Sequence, residues 1–238
     1  MAKLIVIDSG SQGNSYLLQV EKETLIIELG VSWKYILQSL NYDLSSMSGA
    51  LCSHIHKDHS KSILTAIRYG LNVYSNKDVQ SIYKEVKVLQ KRNKTEIGGF
   101  IVQRIDLFHD VECIGFLIEH NSFGRCLFAT DTNSIPYRFK NINHYIVEAN
   151  SDFEQMIDDA CDNVYSRSAS NNHLDISRTI DFLKENFSKD CQSITLIHLS
   201  SQNADEEKFK KRVQEELGFS NVNVAKKGLV IELNKEEF

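Results

Sequence analysis

Three of the eight histidines fall within six residues, His54-Ile55-His56-Lys57-Asp58-His59. Imidazole and carboxylate are donors that suit zinc, manganese or iron. So short a stretch does not easily wrap all four groups around one ion. Alternate positions point to different sides, so two neighbouring ions are the natural solution. Further donors stand where apolar runs stop: His109-Asp110 after the run ending near Leu107, Asp131 just past Cys126–Thr130, and His198 at the end of Ile194–Ile197. Each alone reads as a turn former, a helix cap or a satisfied polar group, and it is the cluster that gives them weight. Two divalent ions held close together support hydrolysis by an activated water.

Such donors need rigid strand ends to stand on. Leu4–Ile7, Tyr16–Val20, Leu25–Glu28 and Ala50–Ser53 read as strands, and Val73-Tyr74 as a short one. Helices are expected over Ser32–Leu40 and Lys61–Tyr69, the latter stopped by Gly70, and a longer one from an Asn76 cap to about Arg92. Strands return at Phe100–Ile105, Cys113–Glu119, Cys126–Thr130 and His144–Glu148. Ser151 to Glu154 has capping-box spacing. Ile176, Ile180, Leu183 and Phe187 recur at helical intervals before a strand at Ile194–His198. Ala204 to Leu217 reads as a helix stopped by Gly218, with strands at Val222–Val224 and Leu229–Leu233 closing the pattern. Two stacked mixed sheets with helices outside follow, folded as one unit.

The chain has 238 residues and a net charge of −5, with 42% hydrophobic and 25% charged residues. That mix excludes a disordered chain, and no apolar run is long enough to cross a membrane. The acidic balance argues against nucleic-acid binding through bulk charge. Five scattered cysteines, no C-x-x-C pair and no secretory segment suggest reduced, mostly buried thiols in a cytoplasmic protein. On the expected helix, Lys84, Lys87, Lys91 and Lys94, with Arg92 beside them, form a cationic face for a phosphate backbone or simply a solvated face. Asp152, Glu154, Asp158, Asp159 and Asp162 form an acidic counterpart. The Ser9–Ser15 loop either turns its N–H groups toward a metal or phosphate or merely connects two strands.

The order of these motifs resembles the metallo-β-lactamase superfamily, from Leu4 to Leu233. The sequence is similar to the Wal-operon-type exonuclease branch, related to ribonuclease Z, through Gly10-Ser11-Gln12-Gly13-Asn14, Thr130-Asp131-Thr132, Glu148-Ala149-Asn150, His173-Leu174 and His198-Leu199-Ser200. It departs from that branch at Asn133, where glycine is usual, and around His173, with Asn172 before the His-Leu element and Asp175-Ile176 after it. The resemblance implies an α/β fold, a four-layer αββα sandwich of two mixed β-sheets with helices outside, and a single hydrolase domain over residues 1–238. It implies that His54, His56 and His109 hold one ion, that Asp58, His59 and His198 hold another, and that Asp131 bridges them. The implied cofactor is a pair of divalent ions, zinc first, with manganese or iron as alternatives. Asp58 would orient a metal-bridging hydroxide, and His173 would bind phosphate or protonate the leaving oxygen. Asp110 and Glu148 would steady the ligands from behind, and Ser11 and Asn14 would serve the ligands or the substrate.

The implied activity is hydrolysis of phosphodiester bonds in DNA or RNA, by an exonuclease acting without a membrane and as a possible homodimer. A cyclic mononucleotide is the alternative substrate. A glyoxalase II-like thioesterase shares the ligands but not the Gly10–Asn14 loop, the Glu148–Asn150 match or His173. A secreted β-lactamase would need an export signal. A flavodiiron-type enzyme would need Glu at His56. The stretch between Asp131 and His198 leaves little room for a large inserted cap, and no Gly/Pro-rich arm for tRNA is present. A non-catalytic binding module is expected to have lost ligands, and all of these positions are filled.

Overall fold

The fold is taken from a computed structural model, which describes residues 2–152 and 172–235. Fourteen strands form two sheets of seven. The first sheet contains β1 (Ala2–Asp8), β2 (Ser15–Val20), β3 (Glu23–Ile27), β4 (Met47–Leu51), β5 (Val73–Ser75), β6 (Lys87–Val88) and β14 (Val230–Leu233), in the order β14-β1-β2-β3-β4-β5-β6. The second contains β7 (Lys94–Ile97), β8 (Phe100–Leu107), β9 (Cys113–His120), β10 (Gly124–Ala129), β11 (His144–Glu148), β12 (Ser193–Ile197) and β13 (Val222–Val224), ordered β13 to β7. Both sheets are mixed, with β3-β4-β5-β6 and β10-β11-β12-β13 parallel.

The strands are apolar on both faces because both faces are covered. In β2, Tyr16 and Leu18 face the second sheet, packing in one cluster with Phe116 and Phe128, while Leu17 joins Trp33, Ile36 and Ile63 on the other side. Those residues belong to α1 (Trp33–Ser39) and α3 (Ile63–Arg68), which follows α2 (Lys57–Ser60). Outside the second sheet, Leu127, Tyr145 and Leu196 pack with Ile176, Leu183, Phe209 and Val213 of α5 (Ile176–Asn186) and α6 (Glu206–Leu217). Helix, sheet, sheet, helix is the expected four-layer sandwich. Gly218 ends α6 with φ +62°, a left-handed cap that glycine adopts without strain.

The long helix expected up to Arg92 does not form. Helix α4 (Lys77–Ile82) starts at the Asn76 cap, whose side chain accepts from Val79 N–H, and stops after six residues. Beyond it Val86 and Leu89 are buried, and Leu89 N–H donates to Ser75. The alternating Val86-Lys87-Val88 fits an edge strand better than a helix. Lys87 therefore lies in β6 and Lys94 in β7, and the cationic helix face does not exist. Cys52, Cys113, Cys126 and Cys191 are buried and free, whereas Cys161 lies outside the described residues. So do Glu154, Asp158, Asp159 and Asp162, and with Glu154 the proposed capping box. Asp152 is buried and pairs with Lys208 at 2.8 Å, so it is not part of a solvated face.

Candidate metal centre

Strands β3, β4, β10, β11 and β12 run in parallel pairs, and two antiparallel steps through β9 give β8 the direction of β10. Their carboxyl ends carry the polar residues. His54 to His59 form the turn from β4 into α2, and three backbone contacts fix that turn. Asn14 N–H donates to the Asp58 carbonyl at 2.8 Å, Leu29 N–H to the His59 carbonyl at 2.9 Å, and Gly30 N–H to Asn14 at 3.0 Å. A Cβ on Gly30 would stand 1.5 Å from the Asp58 carbonyl oxygen, so only glycine lets the three segments meet.

Two sets of donors converge. In the first, His56 Nδ1 lies 3.1 Å from His54 Nε2 and 3.3 Å from His109 Nε2. In the second, Asp58 Oδ2 lies 3.3 Å from His59 Nε2 and 3.7 Å from His198 Nε2. Asp131 stands between them, with Oδ2 2.7 Å from His59 Nε2 and 4.0 Å from His54 Nε2. Within each set the candidate ligand atoms lie within 4.8 Å of one another.

The far nitrogens of these rings are held elsewhere. His54 Nδ1 meets Ser53 Oγ at 2.9 Å, His109 Nδ1 meets the Asn172 carbonyl at 3.2 Å, and His198 Nδ1 meets Glu148 Oε1 at 3.0 Å. His59 Nδ1 faces Glu28 Oε2 at 3.4 Å, out of line for a hydrogen bond. Such outer contacts fix ring orientation and leave the other nitrogen free to ligate.

The site fits cations. Three imidazole nitrogens face one another in the first set, an arrangement that repels unless a proton or an ion lies between them. His198 Nε2 is buried with no hydrogen-bond partner. Among the described residues no lysine or arginine pairs with Glu28, Asp58, Asp131 or Glu148, although all but Asp58 are buried. Buried carboxylates need compensation. Burial alone would raise the acid pKa of Asp131, yet His198 and His59 hold it well below the usual carboxylate range. In return, against burial, Asp131 and Glu28 raise His59, and Asp131, Asp58 and Glu148 bring His198 up to about 9. Burial and the neighbouring histidine His59 instead push His54 down, and burial lowers His109, so these stay neutral lone-pair donors.

Residues 8–68, which include the whole histidine cluster, match the metallo-beta-lactamase superfamily model. Over 171 residues the chain is 26% identical to the exodeoxyribonuclease WalJ of Streptococcus pneumoniae, covering 64% of each chain. It is 26% identical over 168 residues to the exodeoxyribonuclease YycJ of Bacillus anthracis, covering 63% of this chain and 64% of that one. The chain thus spans under two thirds of the length of these relatives. In fold it is similar to the metallo-beta-lactamase fold protein YhfI of Bacillus subtilis, with TM-score 0.76, 20% identity and coverage of 97% and 98%.

The other expected residues fall unevenly around the two donor sets. Asn14 is buried, with Nδ2 3.1 Å from His59 Nε2. Asp110 is half exposed on the solvent side of the first set, 3.1 Å from His109 and 3.7 Å from His56. Glu148 is fully buried. Its Oε1 takes both His198 and His173 Nδ1, the latter at 2.6 Å, and its Oε2 accepts from Thr132 and Leu174 N–H. His173 also lies 3.1 Å from Asp131, and burial's downward pull on it is overcome by Glu148 and Asp131, which bring it to about 10.

Ser11 is exposed and makes no side-chain hydrogen bond among the described residues. The serine that reaches the site is Ser9, whose Oγ accepts from His198 N–H at 3.0 Å and from Tyr16 Oη at 2.8 Å. Two of the loop's amides are used within it, Gly10 N–H by Asn14 Oδ1 and Gly13 N–H by the Gly10 carbonyl. Glu28 and Asn150, whose Nδ2 donates to the His198 carbonyl at 2.9 Å, were not singled out from sequence. A lone carboxylate closing the apolar run Leu25–Ile27 was the available signal for Glu28. It shares with Asp131 and His198 a left-handed backbone, φ +67°, +50° and +54°, a strain typical of functional positions.

Proposed function

We propose that this protein is a dinuclear metal-dependent phosphodiesterase that hydrolyses nucleic-acid phosphodiester bonds, working as an exonuclease on DNA or RNA. The observation that carries this reading is the meeting of two donor sets, His54/His56/His109 and Asp58/His59/His198, on the buried carboxylate Asp131. The exodeoxyribonuclease relatives support the substrate class. When bound, two divalent ions, zinc for this donor set, supply a nucleophile at neutral pH and Lewis-acid stabilisation of the charge that builds at phosphorus.

The chain's own residues do the rest. Asp58 is the most exposed of the site's ligand carboxylates and is placed to accept a hydrogen bond from the attacking water and orient it. Glu148 anchors His173 by Nδ1, and the other nitrogen of that ring, with no partner among the described residues, is placed to meet a phosphate oxygen or protonate the leaving oxygen. Asp110, on the solvent side of His56 and His109, steadies the first set. Residues 1–238 act as one hydrolase unit, and the working form in this reading is a cytoplasmic homodimer.

The test is incubation with zinc or manganese against 5′-labelled single-stranded DNA, RNA and a panel of cyclic mononucleotides. Polymer cleavage is expected, and it should vanish in Asp58→Ala and His59→Ala. No turnover of any substrate at full metal occupancy sinks the phosphodiesterase reading. Cleavage of cyclic nucleotides alone replaces the polymer with the smaller substrate.

A further inference from the structure

On the outer side of β8, β9 and β10, away from the metal centre, lies a groove of about 560 Å³. In a chain with excess acid, six cations line it, Lys91, Arg92, Arg104, Arg125, Arg138 and Lys140, against one carboxylate, Asp106. Several of these are tied down. Lys91 and Arg104 share Asp106, Arg104 also meets Glu112, Arg125 meets Glu119, and Arg138 meets Glu185. Arg92 and Lys140 are exposed and have no acidic partner among the described residues. Tyr137 and Phe139 add two aromatic rings with centroids 6.1 Å apart, Tyr137 being exposed.

The groove is joined to the metal centre along two pieces of chain. Its floor includes Gln103 to Asp106 of β8, and that strand runs on to His109. At ~3.3 Å per residue, the separation is roughly 10–20 Å. Its wall, Tyr137 to Lys140, belongs to the segment that leaves Asp131. Between the two stands Phe108. Its N–H donates to Thr132 Oγ1 and its carbonyl accepts from Asn133 N–H, both at 3.0 Å, yet its ring is 53% exposed. A backbone clamped on both sides that presents a bare aromatic ring beside candidate metal ligands has the form of a stacking platform.

We infer that Phe108 and this basic groove form the track for a single-stranded polynucleotide whose end lies at the metal centre. A positively charged groove that follows the backbone, combined with aromatic rings that stack bases, is the chemistry of sequence-tolerant single-strand binding. At ~3.4 Å or more of strand per phosphate, the path holds about three to six nucleotides. The inference rests on the phosphodiesterase reading for the position of the cleaved bond, but not for binding. It also separates the two substrate classes, because a cyclic mononucleotide cannot reach from the centre to Arg92 or Lys140.

The test uses the metal-loaded protein and a fluorescein-labelled, phosphorothioate-linked single strand that resists cleavage, with affinity read by anisotropy across a salt series. The double variant Arg92→Ala with Lys140→Ala removes exposed, unpaired charges and so keeps the fold. It is expected to lower the slope of log affinity against log salt by about 1.4, at ~0.7 per lost phosphate contact. Its turnover of the small diester bis(p-nitrophenyl) phosphate should equal that of the unaltered protein. Phe108→Ala is expected to weaken strand binding between about fivefold and 150-fold, the effect of one lost stacked base. Unchanged affinity and slope in the double variant, or no strand binding by the unaltered protein, overturns the track. Equal affinity for polyglutamate also overturns it, since that would be charge alone. If the unaltered protein cleaves neither the small diester nor unmodified single-stranded DNA or RNA, the phosphodiesterase reading falls, while the anisotropy result still decides the track.

Discussion

The two sheets build their shares of the metal centre in different ways. The first supplies His54, His56, Asp58 and His59 from one turn after β4, stitched by Asn14, Leu29 and Gly30. The second supplies His109, Asp131 and His198 from three strand ends, with Glu148 behind them. The compact turn keeps ordinary backbone angles at its donors, whereas Asp131 and His198 sit in the left-handed region. A contiguous motif positions its donors by local geometry. A dispersed set depends on strand order and accepts backbone strain to aim its side chains.

The largest expected break is at the residue that joins the two shares. Asp131→Asn keeps a side chain that tolerates left-handed backbone but loses the charge. It should fold and lose on the order of 10³-fold in kcat/KM, the upper end of the cost of one electrostatic contact. Retention of a tenth of the activity would break the idea that the shares meet there. Next is Gly30→Ala, which strikes the turn alone. A Cβ in contact with the Asp58 carbonyl should cost about 3 kcal/mol or more in urea unfolding. Stability equal to the parent's would show that the stitch is dispensable.

Metal analysis sharpens the comparison further. His56→Ala and His198→Ala should each lose one ion and keep the other, and loss of both ions from either variant would mean that the two donor sets, each drawn from both shares, are not separable. Glu28→Gln in the first share and Glu148→Gln in the second should each weaken metal binding by about 10- to 100-fold, as outer contacts do. Glu148 should have the greater effect, because it holds both His173 and His198.

The smallest effect is on pH. Asp58 is depressed below its ordinary 3.8 because His198 and His59 outweigh burial, so its stabilisation is present above about 3.8 and lost as pH falls. His198 and His173 are raised from 6.5 to about 9 and about 10, so theirs is full below about 6.5 and lost as pH rises through 9 to 10. Chelator-treated protein should therefore lose melting temperature toward both ends of the scale. The alkaline loss should shrink in His198→Gln, and an unchanged alkaline slope in that variant would refute the assignment.

This asymmetry also decided what could be read from the sequence. The histidine turn was visible because its spacing is local, and Asp131 and His198 were visible because each directly follows a clear apolar strand. Both seven-stranded sheets, apart from the short β6 and β7, could be anticipated from apolar runs. The helix expected up to Arg92 does not form because Lys84 to Leu89 carries both periodicities, and pairing of Lys87 and Val88 with Tyr74 and Ser75 of β5 decides for a strand. The contact of Ser9 with His198 is not legible in the sequence because composition cannot tell which of several small polar residues faces inward. Glu28 and Gly30 act only through chain segments brought together by folding, so no spacing marks them, and Asn150 stands in the Glu148-Ala149-Asn150 match with no role that the sequence alone assigns.

The stitch under the histidine turn also makes the centre observable from outside it. The amide protons of Asn14 and Leu29 are bonded to the carbonyls of Asp58 and His59, yet neither amide is a metal donor. Their exchange with deuterated solvent requires the turn to lift from its base. Those two backbone signals thus act as a clock for how often the first share opens, and they can be followed without any substrate.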